Sequence, residues 1–159
     1  MAVFFSGSEL LEIAMGIERN GIAFYQALAD KTANRDAKTI YNYLAGEEKR
    51  HLDTFQGMSD APGQYKPQEI YTEEYTLYVK ALINGVVFSN ITEAQQKAGK
   101  VSNEIEAVNT GIQAEKDSIL FYTELQDLVR ERDREVVLAV LCEEKKHLRQ
   151  LSELKRGLM

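Results

Sequence analysis

From Ser6 onward, Leu10, Ala14, Ile17, Gly21, Phe24 and Leu28 return every three or four positions up to about Asp30. That is the spacing of one helix face. Ser-Gly-Ser-Glu at 6–9 offers a capping box between Ser6 and Glu9 to start the helix. After the polar turn KTANRDAK, a second helix is predicted from about Asp36 to Gln56, with Ile40, Leu44, Leu52 and Phe55 on one face. GMSDAPGQYKP then breaks the pattern, and Gly57, Pro62, Gly63 and Pro67 predict a loop. Residues 68–85 read as an accessory helix ending at Asn84-Gly85, with a short helix near 92–98. Two long helices close the chain, over about 103–130 and 132–156.

The pattern repeats. GIERNGIAFYQALAD at 16–30 aligns with QAEKDSILFYTELQD at 113–127, an offset of 97, and GEEKRHLDTF at 46–55 aligns with CEEKKHLRQL at 142–151, an offset of 96. A loop absorbs the one-residue difference. Each half is therefore a helical hairpin, and two hairpins make an all-α four-helix bundle. The expected organisation is a single domain over 1–159: hairpin one about 6–56, a crossover about 57–102 carrying its own helix, and hairpin two about 103–156. Tyr71, Tyr75 and Tyr78, at i, i+4 and i+7, are expected to pack the crossover helix on the bundle.

Composition sharpens this picture. With 44% hydrophobic and 28% charged residues, ten Gly and two Pro, the chain has few helix breakers. A net charge of −6 offers no electrostatic reason to expect nucleic acid or an anionic membrane as partner. The single cysteine, Cys142, excludes an internal disulfide framework and a four-cysteine metal site within one chain, and reads as a small core residue. The start MAVFFSGSEL lacks a basic region, and no stretch of about 18 apolar residues occurs, so a cytoplasmic protein that does not span a membrane is expected.

The chemistry lies where the core stripes are interrupted. The only two histidines, His51 and His147, each follow a Glu by three positions, Glu48 and Glu144, so each pair shares a helix face. Leu44, Leu52 and Phe55 share the first face; Val140, Leu148 and Leu151 share the second. Glu18 interrupts Ala14, Ile22 and Tyr25 in the same way, and Glu115 interrupts Gly111, Ile119 and Tyr122. Four carboxylates and two imidazoles are thus directed into one core. Four ions there would each cost several kcal/mol of desolvation, and two divalent cations would cancel their charge. Oxygen-rich ligation with one imidazole per ion suits iron or manganese. The small residues Ala14, Gly21, Gly111 and Ser118 are expected to leave room for the ions and bridging ligands.

A Glu on each of two helices plus Glu-x-x-His on each of the other two resembles the ferritin-like di-iron carboxylate superfamily, and a bundle with one long crossover is its variant. The wording IERNGIAFY and EEKRH looks most like rubrerythrin. The resemblance implies six ligands to two iron ions: Glu18, Glu48, His51, Glu115, Glu144 and His147. Of these, Glu48 and Glu144 would bridge and Glu18 and Glu115 would be terminal. It implies that Glu47 and Glu143 accept the outer N–H of His147 and His51 respectively, the alternative being that both are surface carboxylates. Tyr25 and Tyr122 read as neighbours of the ligands or caps of the core, with a radical or proton role as the alternative. Two features depart from rubrerythrin: one cysteine in place of rubredoxin-type pairs, and Ser118 where that family has an additional glutamate. The expected activity is reduction of hydrogen peroxide with electrons from an external, rubredoxin-like donor. Ferroxidase action with dioxygen or peroxide, and a redox-inert metal-stabilised bundle, remain alternatives. A homodimer is expected.

Overall fold

The computed structural model describes residues 5–63 and 72–159. Among them the regular elements are helical: α1 Gly7–Lys31, α2 Arg35–Asp60, α3 Glu73–Asn84, α4 Ile91–Lys100, α5 Glu104–Leu128 and α6 Arg134–Leu158, the last preceded by a 3-10 turn at Glu131–Asp133. Residues 68–71 of the expected accessory helix, Tyr71, and the outermost N-terminal residues 1–4 lie outside the described residues.

Local chemistry explains the boundaries. The Ser6 capping box forms in both directions: Glu9 N–H donates to Ser6 Oγ at 3.1 Å and Ser6 N–H to Glu9 Oε2 at 2.7 Å. Asn34, Thr72, Asn90 and Asn103 cap α2 to α5, each side chain accepting the N–H three residues on. The second helix runs past its expected end at Gln56. Gly57 costs only about 1 kcal/mol inside a helix, and Met58, 5% exposed, packs into the core one residue later. Ala61, extended at ψ 141°, stops the helix because it precedes Pro62.

The long helices pair as two hairpins, α1 with α2 and α5 with α6; α1 also faces α5 and α2 faces α6. The crossover divides its helices between the halves, α4 on α1 and α3 on α5. Two corrections concern single side chains. Tyr75 is half-buried and donates to Glu124 Oε2 at 2.7 Å, but Tyr78 is 44% exposed and does not anchor α3. Cys142 is exposed rather than in the core. Two positions before Glu144, it sits about 200° around the helix and so points away from the bundle axis.

The apolar core is in two pieces. One holds Leu11, Met15, Phe55, Phe121 and Val137; the other holds Phe24, Leu28, Tyr41, Leu44, Val108 and Leu151. Each contains one end of all four long helices. Fully buried side chains of this kind contribute roughly 1.5–3 kcal/mol apiece, and the two pieces together support what lies between them. The layer between them is polar.

Candidate metal centre

Glu18, Glu48, His51, Glu115, Glu144 and His147 fill that layer, each at most 4% exposed. They form two groups, Glu18–Glu48–His51–Glu144 and Glu48–Glu115–Glu144–His147, in each of which the four candidate ligand atoms lie within 4.8 Å of one another. Glu48 and Glu144 belong to both groups.

The atoms show how they are shared. Glu144 places Oε1 2.9 Å from His51 Nδ1 and Oε2 3.3 Å from His147 Nδ1. Glu48 divides the same way, with Oε2 3.2 Å from His51 Nδ1 and Oε1 4.0 Å from His147 Nδ1. Each of these carboxylates spans the two imidazoles. Glu18 and Glu115 meet one imidazole each, Glu18 Oε2 at 3.7 Å from His51 Nδ1 and Glu115 Oε2 at 3.7 Å from His147 Nδ1. Their other oxygens accept a phenol from across the bundle: Tyr122 donates to Glu18 Oε1 and Tyr25 to Glu115 Oε1. The two imidazole rings stack 5.5 Å apart at 21°.

The electrostatics follow from crowding like charges in a dry layer. Burial, then the neighbouring Glu144 charge, raises the Glu18 carboxyl. Burial and the charges of Glu18 and Glu115 push Glu48 well up. Burial, with Glu48 and Glu115, takes Glu144 up to about 8. Glu115 moves the other way, because His147 and Glu144 outweigh its burial. Burial opposes charge on both imidazoles, yet the carboxylates win: His147 is pushed up to about 11 and His51 also rises. Burial and the facing carboxylates hold both phenols, Tyr25 and Tyr122, firmly protonated.

The donor set fits a pair of metal ions. Glu115 Oε2, both oxygens of Glu144 and both nitrogens of His147 are buried without a hydrogen-bond partner among the described residues. Buried polar atoms are rarely left so. Each group offers three carboxylates and one imidazole, the hard-oxygen set that suits iron or manganese.

The family model for rubrerythrin matches residues 9–155. The chain belongs to the rubrerythrin family. Among solved structures it is similar to a Thermotoga maritima protein described as ferritin-like and diiron-carboxylate, with a TM-score of 0.72 and 28% identity over 98% of this chain and 97% of that one. No curated protein matches. None of the described helices is long and apolar enough to cross a membrane.

Within this rubrerythrin-family layer one expectation changes, and the glycines gain a definite setting. Gly21 and Gly111 bring the polar layer's own side chains close to their helices. A Cβ on Gly21 would meet the Glu48 side chain at 3.4 Å, and one on Gly111 would meet Leu151 at 3.2 Å and the Tyr25 hydroxyl at 3.4 Å. A side chain at Gly111 would crowd Leu151, whereas one at Gly21 would only touch Glu48. The outer imidazole bonds are also unequal. His51 Nε2 lies 2.7 Å from Glu143 Oε2, as expected, but Glu47 does not bond His147. Arg50 holds Glu47 instead, at 2.6 Å, while also reaching Glu143 at 3.4 Å. The repeat places Lys146 where hairpin one has Arg50, and lysine lacks the guanidinium fork that allows two simultaneous bonds. That single difference was visible in EEKRH against EEKKH.

Proposed function

We propose that this protein is a di-iron oxidoreductase that reduces hydrogen peroxide to water using an external electron donor. What supports the reading most is the division of Glu48 and Glu144, one oxygen to each imidazole, inside a family of di-metal carboxylate bundles. Glu18, Glu48, His51, Glu115, Glu144 and His147 would hold two iron ions, with manganese the alternative metal. When bound, such a pair supplies two electrons by passing from divalent to trivalent, enough with two protons to convert one peroxide to two waters.

The chain's own residues set the conditions for that exchange. The two apolar core pieces exclude bulk water from either side of the layer. Tyr122 and Tyr25 hold a proton against Glu18 Oε1 and Glu115 Oε1, leaving the other oxygen of each carboxylate directed at its imidazole. Glu143 fixes His51 through Nε2 and thereby leaves Nδ1 turned toward the carboxylates. Charge balance favours the divalent pair, since four carboxylates at −1 and two ions at +2 sum to zero.

The test is a single-turnover experiment. Anaerobically reduced, iron-loaded protein should be oxidised by one equivalent of hydrogen peroxide faster than by dioxygen, then stop. Addition of a rubredoxin-like donor and its reductase should restore turnover. Faster oxidation by dioxygen, with many irons accumulating per chain, would replace the peroxidase reading with a ferroxidase. A loaded protein inert to both would leave a metal-stabilised bundle.

A further inference from the structure

The two open sides of the polar layer are closed in different ways. On the α2–α6 side, the stacked imidazoles, the His51–Glu143 contact and Arg50 bound to both Glu47 and Glu143 form a charged clasp. On the α1–α5 side lies a cavity of about 20 Å³, measured as room for the centres of water-sized molecules. Its inner wall includes Glu18, Glu48 and Glu115; its rim includes Val87 and Asp117, both half-buried, with Ser118 between. Glu115, whose Oε2 has no hydrogen-bond partner among the described residues, is one of the residues of that wall.

The lid over this cavity is the segment 86–88 that joins α3 to α4. It is fastened at three places. Val87 N–H donates to Asp117 Oδ2 at 2.8 Å, Lys97 Nζ donates to the Val87 carbonyl, and Asn20 Nδ2 donates to the Phe88 carbonyl at 3.3 Å. Phe88 packs on Phe24 with ring centroids 4.6 Å apart, which pins the segment's far end. Backbone held from both helices it bridges is a strap rather than a loose loop.

Resting on the proposed di-metal reading, we propose that small molecules reach the carboxylate layer through the α1–α5 face, beneath this strap, and that the Val87 fastenings select them by size. One water needs about 10–15 Å³ on this measure. A cavity of 20 Å³ has room for one to two water-sized units, a match for hydrogen peroxide or dioxygen and a poor one for a branched hydroperoxide while the strap is fastened. Ser118 is the gatepost: its hydroxyl is turned to Ala114 O at 3.2 Å in its own helix, so its size matters here more than its polarity.

Nitric oxide binding to the diferrous protein, followed by stopped-flow absorbance, tests the route without any turnover. Ser118→Leu should slow binding at least tenfold while helix content and metal content stay as in the wild type. Asp117→Ala, which frees Val87 N–H, should speed it several-fold and raise amide exchange at residues 86–88. A folded, loaded Ser118→Leu protein that binds nitric oxide at the wild-type rate would overturn the route. If Ser118→Leu fails to fold or to load, Asp117→Ala decides: an unchanged rate together with faster amide exchange would overturn it. Nitric oxide requires only the ferrous pair, so a protein that obeys this pattern but does not turn over peroxide would lose the proposed function and keep the route.

Discussion

His51 and His147 have matching inner surroundings and different outer ones. Toward the centre, each Nδ1 meets one terminal and two shared carboxylates. On the outside, His51 Nε2 is bound to Glu143, whereas His147 Nε2 has no hydrogen-bond partner among the described residues and its ring lies edge-on to half-exposed Tyr43, centroids 6.3 Å apart. At the repeat position of Tyr43, hairpin two has Ala139. The two hairpins thus match where the carboxylates are shared between them and differ where each imidazole meets its outer surroundings. The inner layer crowds four carboxylates around two imidazoles, so each group there shifts its neighbours. Outside it, Arg50 holds Glu47 where hairpin two has Lys146.

The comparison breaks most readily at the shared carboxylates. Glu48→Ala or Glu144→Ala should take bound metal from about two ions per chain to less than one, measured by elemental analysis after desalting. Glu18→Ala and Glu115→Ala, each touching one imidazole, should weaken one half and leave the other. Both ions retained at wild-type affinity in Glu48→Ala would end the claim that the halves share this residue.

The metal-free protein offers the next largest effect. Folded Glu18, Glu48 and Glu144 and both imidazoles have raised pKa values, so the folded state binds more protons than the unfolded one. For the carboxyls this stabilisation is complete below about 4.5 and fades as pH rises, through about 8 for Glu144. For His147 it is complete below 6.5 and fades toward about 11. Glu115 and Glu143, both lowered, lose stability only on acidification below the ordinary carboxylate range, outside this window. Apo protein should therefore melt higher at about pH 5 than at about pH 8. The difference should be a few kcal/mol, on the order of 10 °C. A higher melting temperature at pH 8 would mean that the six groups do not share one dry layer in solution.

A smaller effect sharpens the outer asymmetry. Glu143→Gln should weaken metal binding about 10–100-fold, measured by competition with a chelator, and Glu47→Gln should change it much less. Equal effects would show that Glu47 reaches His147 in the loaded protein. Smallest of all, Arg50→Lys should make the Glu47→Gln change larger than it is in the wild-type background, because Glu47 is released; a double-mutant cycle reads that coupling. Simple additivity would mean that Arg50 does not set the asymmetry.

Much of this was legible in the chain. The 3.6-residue periodicity located the four long helices, and the interrupted stripes singled out the six residues that the structure gathers in one layer. Helix ends were less legible, because a buried Met58 carried α2 through Gly57 to the residue before Pro62. The glycines were legible only in part, because sequence shows that a side chain is missing but not which neighbour lies beside it. The strap could not be read at all. Val86, Val87 and Phe88 carry no motif, and their role depends on Asp117, Lys97 and Asn20 reaching them from three different helices.

In the proposed site Glu48 and Glu144 join two ions into one centre. Iron X-ray absorption on anaerobically reconstituted protein tests it most directly. The account predicts about two irons per chain and an iron–iron distance of roughly 3.5–4 Å. One iron per chain, or two with no metal–metal scattering, would contradict it.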